Sequence, residues 1–345
     1  MEATESGPKP AFRIRTWLAS DLFPMTDLVA RAFAADRTWG ARRNLTEIAI
    51  TGMTAASPAF DPGLALVAET PDGRPLGLAL WLASPMRLRG RRLLAANLAP
   101  LAVEPEVAGL GLGSGLMRAS HEALAAKGIS LAFLCGHEGY YPRFGYRKGM
   151  FGNVGIVPDF NANEEGPSPA LRPPEPGDEA ALLSLWEECQ GEVDLALEPG
   201  RGFYPWMAWT PSTQALVLEE EGEVRAYARF ANAEPMGAFG GEVETRATRV
   251  HLFLAADAGS AAALLAALGG GKDLVLPLHP QSRAAARLFP AGFKAVSERG
   301  GYAMICPLPG GPEEDREAVL EYCEGVESGR LPPGLICLPS TFDLE

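Results

Sequence analysis

Histidine and cysteine are scarce in this chain: four and five, respectively, in 345 residues. No two of the cysteines, Cys135, Cys189, Cys306, Cys323 and Cys337, form a C-x-x-C pair. An odd number of sparse cysteines predicts reduced thiols in a cytoplasmic protein, with no structural zinc and no disulfide framework. His121, His251 and His279 have no spacing that would build a metal site, so none is expected. Positive charge is also short: Lys+Arg 30 against Asp+Glu 43 leaves a net charge of −13. That argues against nucleic acid or an anionic membrane as the main partner, because phosphate binding needs a positive field. It suits a cationic or amine substrate. Long apolar runs are missing. Leu93–Val103 is interrupted by Asn97 and Pro100 and is too short to span a bilayer. The opening MEATESGPKPAF is acidic and has no apolar h-region, so no secretory leader is expected. No Ser/His/Asp set stands in a G-x-S-x-G elbow.

The length predicts about two domains, each able to bury its own core. Phe12–Arg15 reads as a strand. Ser20-Asp21 can cap a helix running to about Ala35, with Leu22, Leu28, Val29 and Phe33 on one face. Strands are expected at Leu64–Glu69 and Leu76–Leu82 around the turn Pro71-Asp72-Gly73, and at Leu93–Val103. Pro100 removes a ladder donor, so that last strand should be bulged or unpaired at one point. Gly113–Lys127 reads as a helix with Gly128 at C′, and Ile129–Cys135 as a buried strand.

Residues 158–170 lose all periodicity and read as a linker. A second pattern follows. Helices are expected at Asp178–Gln190, Ser260–Leu268 and Ser282–Phe289. Strands are expected at Ala215–Glu219, Val224–Phe230, Val250–Ala256, Asp273–Leu278 and Tyr302–Pro307. The order ends at Gly292-Phe293, as the first pattern ends near Gly145-Tyr146, which suggests a tandem duplication. Division of the chain is therefore expected at 1–157, a linker at 158–170, a second unit at 171–309 and a tail at 310–345 with a helix at Glu313–Gly325.

The segment 98–149 is richest in chemistry. Gly109-Leu110-Gly111-Leu112-Gly113 sits between a strand and a helix. Glycines there let backbone N–H groups converge on an anion at the helix start, with phosphate or pyrophosphate the natural guess. The dinucleotide fingerprint fails, because Ser114 and Leu116 stand where its third glycine would be, and a P-loop fails for want of Gly-Lys-Ser/Thr. Taken alone, such a loop fits a purely tight-turning role equally well.

The run V-x-P-x-x-x-G-x-G-x-G-S-x-L-M after Leu98–Val103, with the later Tyr140-Tyr141-Pro142-Arg143-Phe144-Gly145-Tyr146, resembles motifs A and B of the GNAT superfamily of acyl-CoA N-acyltransferases. The resemblance is close over residues 98–149 and follows the element order over 12–150. It implies an α/β (α+β) chain of tandem GNAT folds, each a mixed, mostly antiparallel sheet flanked by helices, with the unit at 171–309 degenerate. It implies an enzyme that uses acetyl-CoA as co-substrate to acetylate a primary amine on a small molecule or peptide. Leu98–Val103 would splay from Ile129–Cys135 and admit the pantetheine arm. Val103, beside Ala102, would pair with the pantetheine amides. The Leu101 N–H would stabilise the developing oxyanion. The N–H groups of Gly109, Leu110, Gly111, Leu112, Gly113 and Ser114 would hold the pyrophosphate. Counting back from Gly145, the general acid would be Tyr141, with Tyr140 as the fallback.

There are departures from the pattern. Ala108 and Leu110 stand where the superfamily usually places Gln or Arg, and Asn97 stands where many members place a basic Glu. The general base stays open among Glu69, Glu104, His137, Glu138, a water chain and no dedicated base. The layout is similar to the enhanced intracellular survival acetyltransferases, and that resemblance offers the terminal carboxylate at Glu345. A possible homo-oligomer follows from an uncovered strand edge. A rival reading is an acyl-CoA-binding or structural protein without turnover.

Other features read more plainly. Arg87–Arg92 suggests a solvated hairpin tip or, more sharply, a cofactor-phosphate contact. Glu219-Glu220-Glu221 reads as a solvated loop or an acidic rim. Phe203–Trp209 reads as core packing or an acceptor wall.

Overall fold

Strand β1 (Arg13–Thr16) pairs antiparallel with β2 (Ala65–Glu69), β2 with β3 (Pro75–Leu88), and β3 with β4 (Arg91–Val103). These strands come from a computed structural model, which describes residues 11–35, 51–52, 54–57, 60–160, 170–208, 213–231, 248–269 and 274–337. The β3–β4 hairpin turns on Arg89 (φ 52°) and Gly90 (φ 73°), two left-handed residues that match the twist of the strands. Strand β5 (Leu131–Cys135) joins β4 in parallel. Helix α1 (Leu22–Ala35) buries Met25, Leu28 and Val29 against one face of this sheet. Helix α2 (Leu112–Ala126) buries Leu116, Met117 and Leu124 against the other. The apolar spacing of each helix dictates the face it buries. Gly128 (φ 76°) follows the end of α2 in the left-handed region.

The second half repeats the first four strands. Strands β8 (Ala170–Arg172), β10 (Thr213–Glu220), β11 (Glu223–Ala231) and β12 (Arg249–Ala255) form a sheet in that order, flanked by α3 (Glu179–Gln190) and α4 (Ala258–Ala267). The fold is thus mixed α/β, with mostly antiparallel sheets flanked by helices. A short strand, β9 (Ala196–Leu197), lies against β3.

Expectation and structure part at the end of each half. Strand β14 (Ala303–Pro307), which the order of elements assigns to the second unit, lies between β5 and β6 (Arg147–Lys148) of the first sheet. Reciprocally, β7 (Gly152–Pro158) pairs with β13 (Phe293–Arg299), and its Ile156 bridges Leu276. The two halves have exchanged their last strands. Met304 and Cys306 of β14 fill one core of the first half, and Ala303 and Ile305 fill another. A strand buried on both faces is a plain apolar run, and such a run carries no mark of which sheet receives it. The strand expected at Asp273–Leu278 is reduced to that bridge at Leu276 within the described residues. Helix α5 (Arg283–Leu288) precedes β13, and α6 (Glu313–Glu327) packs Val319, Tyr322, Cys323 and Val326 on the core containing Ile305. Most of the expected linker lies outside the described residues.

Candidate active site

The parallel pairing of β4 with β5 stops at Asn97 and Phe133, although β4 runs on to Val103. Beyond it the strands part. On the other side of β4 the ladder with β3 slips: Trp81 faces Leu98 and Ala79 faces Leu101. Ala99 and Pro100 therefore oppose Leu80 alone, a bulge at the residue that has no N–H to give. The bulge sets which way the backbone points. Glu104 N donates to Leu76 O at 2.8 Å, so Glu104 and, by alternation, Ala102 face β3. Leu101 and Val103 then turn their N–H and C=O groups to the side that β5 has left. Both are partly exposed, whereas Ala102 is buried against the α1 side.

The chain then enters the glycine turn. Gly109 (φ 80°) and Gly111 (φ 95°) are left-handed, and a Cβ on either would meet nothing within 4 Å. Glycine is required there by conformation, and the space above is open. Gly111 is the N-cap of α2 and offers no side chain as a cap. The first helical bond, Gly115 N to Gly111 O, is 2.9 Å. The N–H groups of Leu112, Gly113 and Ser114 thus lack helical acceptors. Residues 108–111 are exposed, and the side chains of Ala108 and Leu110 bring no polar atom. A parted strand pair leading to an open ring of amides at a helix start fits a long ligand with a phosphate end.

Tyr141 opens the 3-10 turn Tyr141–Phe144 that follows β5. It is buried, with the Tyr140 ring at 5.0 Å and the Tyr146 ring at 5.8 Å. Gly136, at the end of β5, makes room for it, since a Cβ there would overlap the Tyr141 ring. Tyr140 reaches the other way. Its hydroxyl lies 2.6 Å from the place a Gly113 Cβ would take, so it sits directly on the glycine turn. Sequence reasoning missed that contact, and it missed Arg143, whose Nη2 donates to Ser114 Oγ at 3.2 Å. Both residues were visible only as members of the quoted motif. Behind Tyr141, Tyr146 is held well above the ordinary tyrosine value by burial, with Cys306 and Tyr141 adding to it. His121 Nε2 lies 3.3 Å from the Tyr146 hydroxyl, and burial lowers its pKa.

The candidate bases fare differently. Burial opposes ionisation of Glu69, but hydrogen bonds from Arg15 and Arg13 outweigh it and hold the carboxyl below its usual value. Glu69, so held, is a weak proton acceptor. Glu104 is buried and bonded to Arg31 at 3.0 Å. Glu138 pairs with Lys148 at 3.6 Å, His137 lies in the turn after β5, and Asn97 is buried. Glu345 lies outside the described residues.

The basic run lies at an exposed hairpin tip, as expected, but its charges are paired within the chain. Arg87 and Arg92 hold Glu198 at 2.8 and 2.9 Å, and Arg89 holds Glu321 at 3.0 Å. They bind the β3–β4 hairpin to the rest of the chain. Glu219 likewise belongs to no open loop, because Arg172 holds it at 2.6 Å. Trp206 is fully buried in the second core, and its carbonyl accepts the Tyr227 hydroxyl at 2.9 Å. At the start of α4, where the second half would need a cradle, Asp257 accepts the Ser260 N–H at 2.8 Å and holds Arg225. A carboxylate of the chain itself fills that position.

Strand order, parting strands and glycine turn together define an acyltransferase-type α/β unit. The family model described as an acetyltransferase (GNAT) domain matches residues 13–149, and this part of the chain is a GNAT domain. Two curated relatives carry related sequence. An N-acetyltransferase of Escherichia coli K12, YjhQ, described as uncharacterised, is 38% identical over 25% of this chain and 46% of its own length. A mycothiol acetyltransferase of Clavibacter michiganensis is 35% identical over 35% of this chain and 36% of its own. The chain thus spans less than half the length of either relative. Among solved structures, Eis1 from Mycobacterium abscessus shares the fold over 86% of this chain and 73% of that one, with a TM-score of 0.54 at 16% identity.

Proposed function

We propose that the chain is an acetyl-CoA-dependent N-acetyltransferase of tandem GNAT layout, acting on a primary amine of a small molecule or peptide. The observation that carries this reading is the backbone of Leu101 and Val103, turned to the gap that β5 leaves beside the open glycine turn. When bound, acetyl-CoA supplies a thioester open to attack by a neutral amine. Val103 pairs through its backbone with the pantetheine amides. The N–H groups from Gly109 to Ser114 hold the pyrophosphate. The Leu101 N–H takes up negative charge developing on the thioester oxygen. As the C–N bond forms and the C–S bond breaks, Tyr141 gives its phenolic proton to the departing sulfur, and the proton shed by the acylated nitrogen passes to water, from which Tyr141 is reprotonated. The second half, its helix start filled by Asp257, shapes the acceptor side and binds no CoA.

A second reading has the commitment of Glu69 and Glu104 to arginines in its favour: a CoA-binding protein without turnover. Calorimetric titration with acetyl-CoA, followed by an amine screen, separates the two. One site per chain with turnover supports the enzyme. One site without turnover on any amine supports the binder, and no binding at millimolar cofactor sinks both.

A further inference from the structure

Arg143 reaches Ser114 at the end of the open glycine turn, and its surroundings differ from those of other arginines in this half. Arg15, Arg31, Arg87 and Arg147 of the same half each hold a carboxylate. Arg143 holds none among the described residues. Its guanidinium carbon stacks 4.0 Å from the centroid of the Tyr140 ring and 5.0 Å from that of Phe144, and Nη2 reaches Ser114 Oγ. The ring under it is the one whose hydroxyl rests on Gly113. A stacked guanidinium keeps its charge, is weakly hydrated and presents a planar fork suited to phosphate. Arg118 stands one helical turn beyond Ser114 on the same side of α2, also exposed. Two cations thus flank the Ser114 side chain. The nearby acid Glu106 is taken by Arg74 at 3.6 Å.

We propose that Arg143 binds a phosphate group of the CoA nucleotide, supplying from the turn after β5 the side-chain contact that Ala108 and Leu110 cannot make. This rests on the acetyl-CoA reading above. A chain of net charge −13 needs a local cation to hold so anionic a ligand. An arginine anchored on an aromatic ring provides it without an ion-pair partner to displace.

The test is calorimetric titration of wild type, Arg143→Gln and Arg143→Lys with acetyl-CoA and with acetyl-dephospho-CoA. Arg330→Gln is the charge control, since Arg330 is exposed in the tail and, among the described residues, bonds only Ser328 Oγ at 3.3 Å. Arg143→Gln should weaken acetyl-CoA about tenfold or more, Arg143→Lys less, and Arg330→Gln by no more than about twofold. The salt dependence of binding should flatten in Arg143→Gln. A loss that persists with the dephospho form places the contact at the pyrophosphate, and a loss that vanishes places it at the 3′-phosphate. Unchanged affinity in both Arg143 variants, with wild type binding normally, overturns the Arg143 assignment alone. No binding by wild type overturns the acetyl-CoA reading as well.

Discussion

Arg172 stands to Asp178 as Arg15 stands to Asp21. Each guanidinium forks onto the carboxylate six residues on, at 2.7 and 2.8 Å in the second half and 2.6 and 2.8 Å in the first. Each carboxylate also accepts the N–H three residues before it, from Glu175 or Leu18, at 2.7 Å. Each arginine reaches a glutamate on the neighbouring strand, Glu219 or Glu69, and the strand registers match: Arg172 faces Val217, and Arg15 faces Val67. The same device opens both halves, which supports the tandem layout proposed above. Arg15→Ala strands the buried Asp21 and leaves the buried Glu69 to Arg13 alone, and should cost about 3 kcal/mol. Arg172→Ala strands Asp178 but leaves Glu219, 35% exposed, in reach of water. It should cost less, about 2 kcal/mol. Urea unfolding measures both, and a larger loss in Arg172→Ala would refute the ranking.

Acid should unfold the protein in two windows. Burial lowers the pKa of His121 and His279, and that of His251 to about 3, with Arg249 and Arg229 adding to the last. A group depressed in the folded state binds its proton more readily when unfolded, so stability falls as pH drops below about 6.5. For His251 alone the loss at pH 5 is about 2 kcal/mol. The second window belongs to the carboxylates. Burial opposes ionisation of Asp21, but Arg15 holds it below its usual value, and Arg172 does the same for Asp178. Their stabilisation is full above about pH 4 and is lost as pH falls through the folded values. Unfolding midpoints at pH 7, 5 and 3 check this. A midpoint unchanged between pH 7 and 5 would contradict the histidine window.

Legibility from sequence follows the range of the interactions. Pro100 announces the bulge against Leu80 because a missing N–H is a local fact. Gly109 and Gly111 announce left-handed turns for the same reason. The strand exchange is not local. Ile156 and Ile305 look alike in any apolar count, and their sheets are decided by packing partners far along the chain. Arg89 and Glu321 are 232 residues apart, so the run Arg87–Arg92 shows none of its ion-pair partners until the fold closes. Glu69 reads as a free carboxylate for the same reason, until β1 brings Arg13 and Arg15 across to it.

Gly136 should prove as selective for turnover as Gly111 is for binding. A Cβ at Gly136 would overlap the Tyr141 ring, so Gly136→Ala must displace that ring while leaving the glycine turn untouched. Affinity for acetyl-CoA should stay within about twofold, and turnover should fall about tenfold or more. Gly111→Ala acts in reverse. Its Cβ has room but its φ of 95° does not suit alanine, so the turn should reshape and binding weaken, at about 1 kcal/mol in stability. Calorimetry and initial rates on both variants test the division. Equal loss of binding in the two would place Tyr141 on the cofactor side.

Tyr141 and Tyr140 are neighbours with opposite surroundings, and that separates their roles. Tyr141 is buried between two aromatic rings beside the end of β5. Tyr140 lies on Gly113 under the Arg143 guanidinium. If Tyr141 protonates the leaving sulfur, Tyr141→Phe removes one proton donor and little volume. Turnover should then drop about a hundredfold with cofactor affinity nearly unchanged. Tyr140→Phe keeps the ring under Arg143 and loses only the hydroxyl at Gly113, so it should weaken binding slightly and spare the rate with cofactor saturating. The rates should be measured at saturating cofactor across pH. A full rate in Tyr141→Phe, or a larger rate loss in Tyr140→Phe, would transfer the acid to Tyr140.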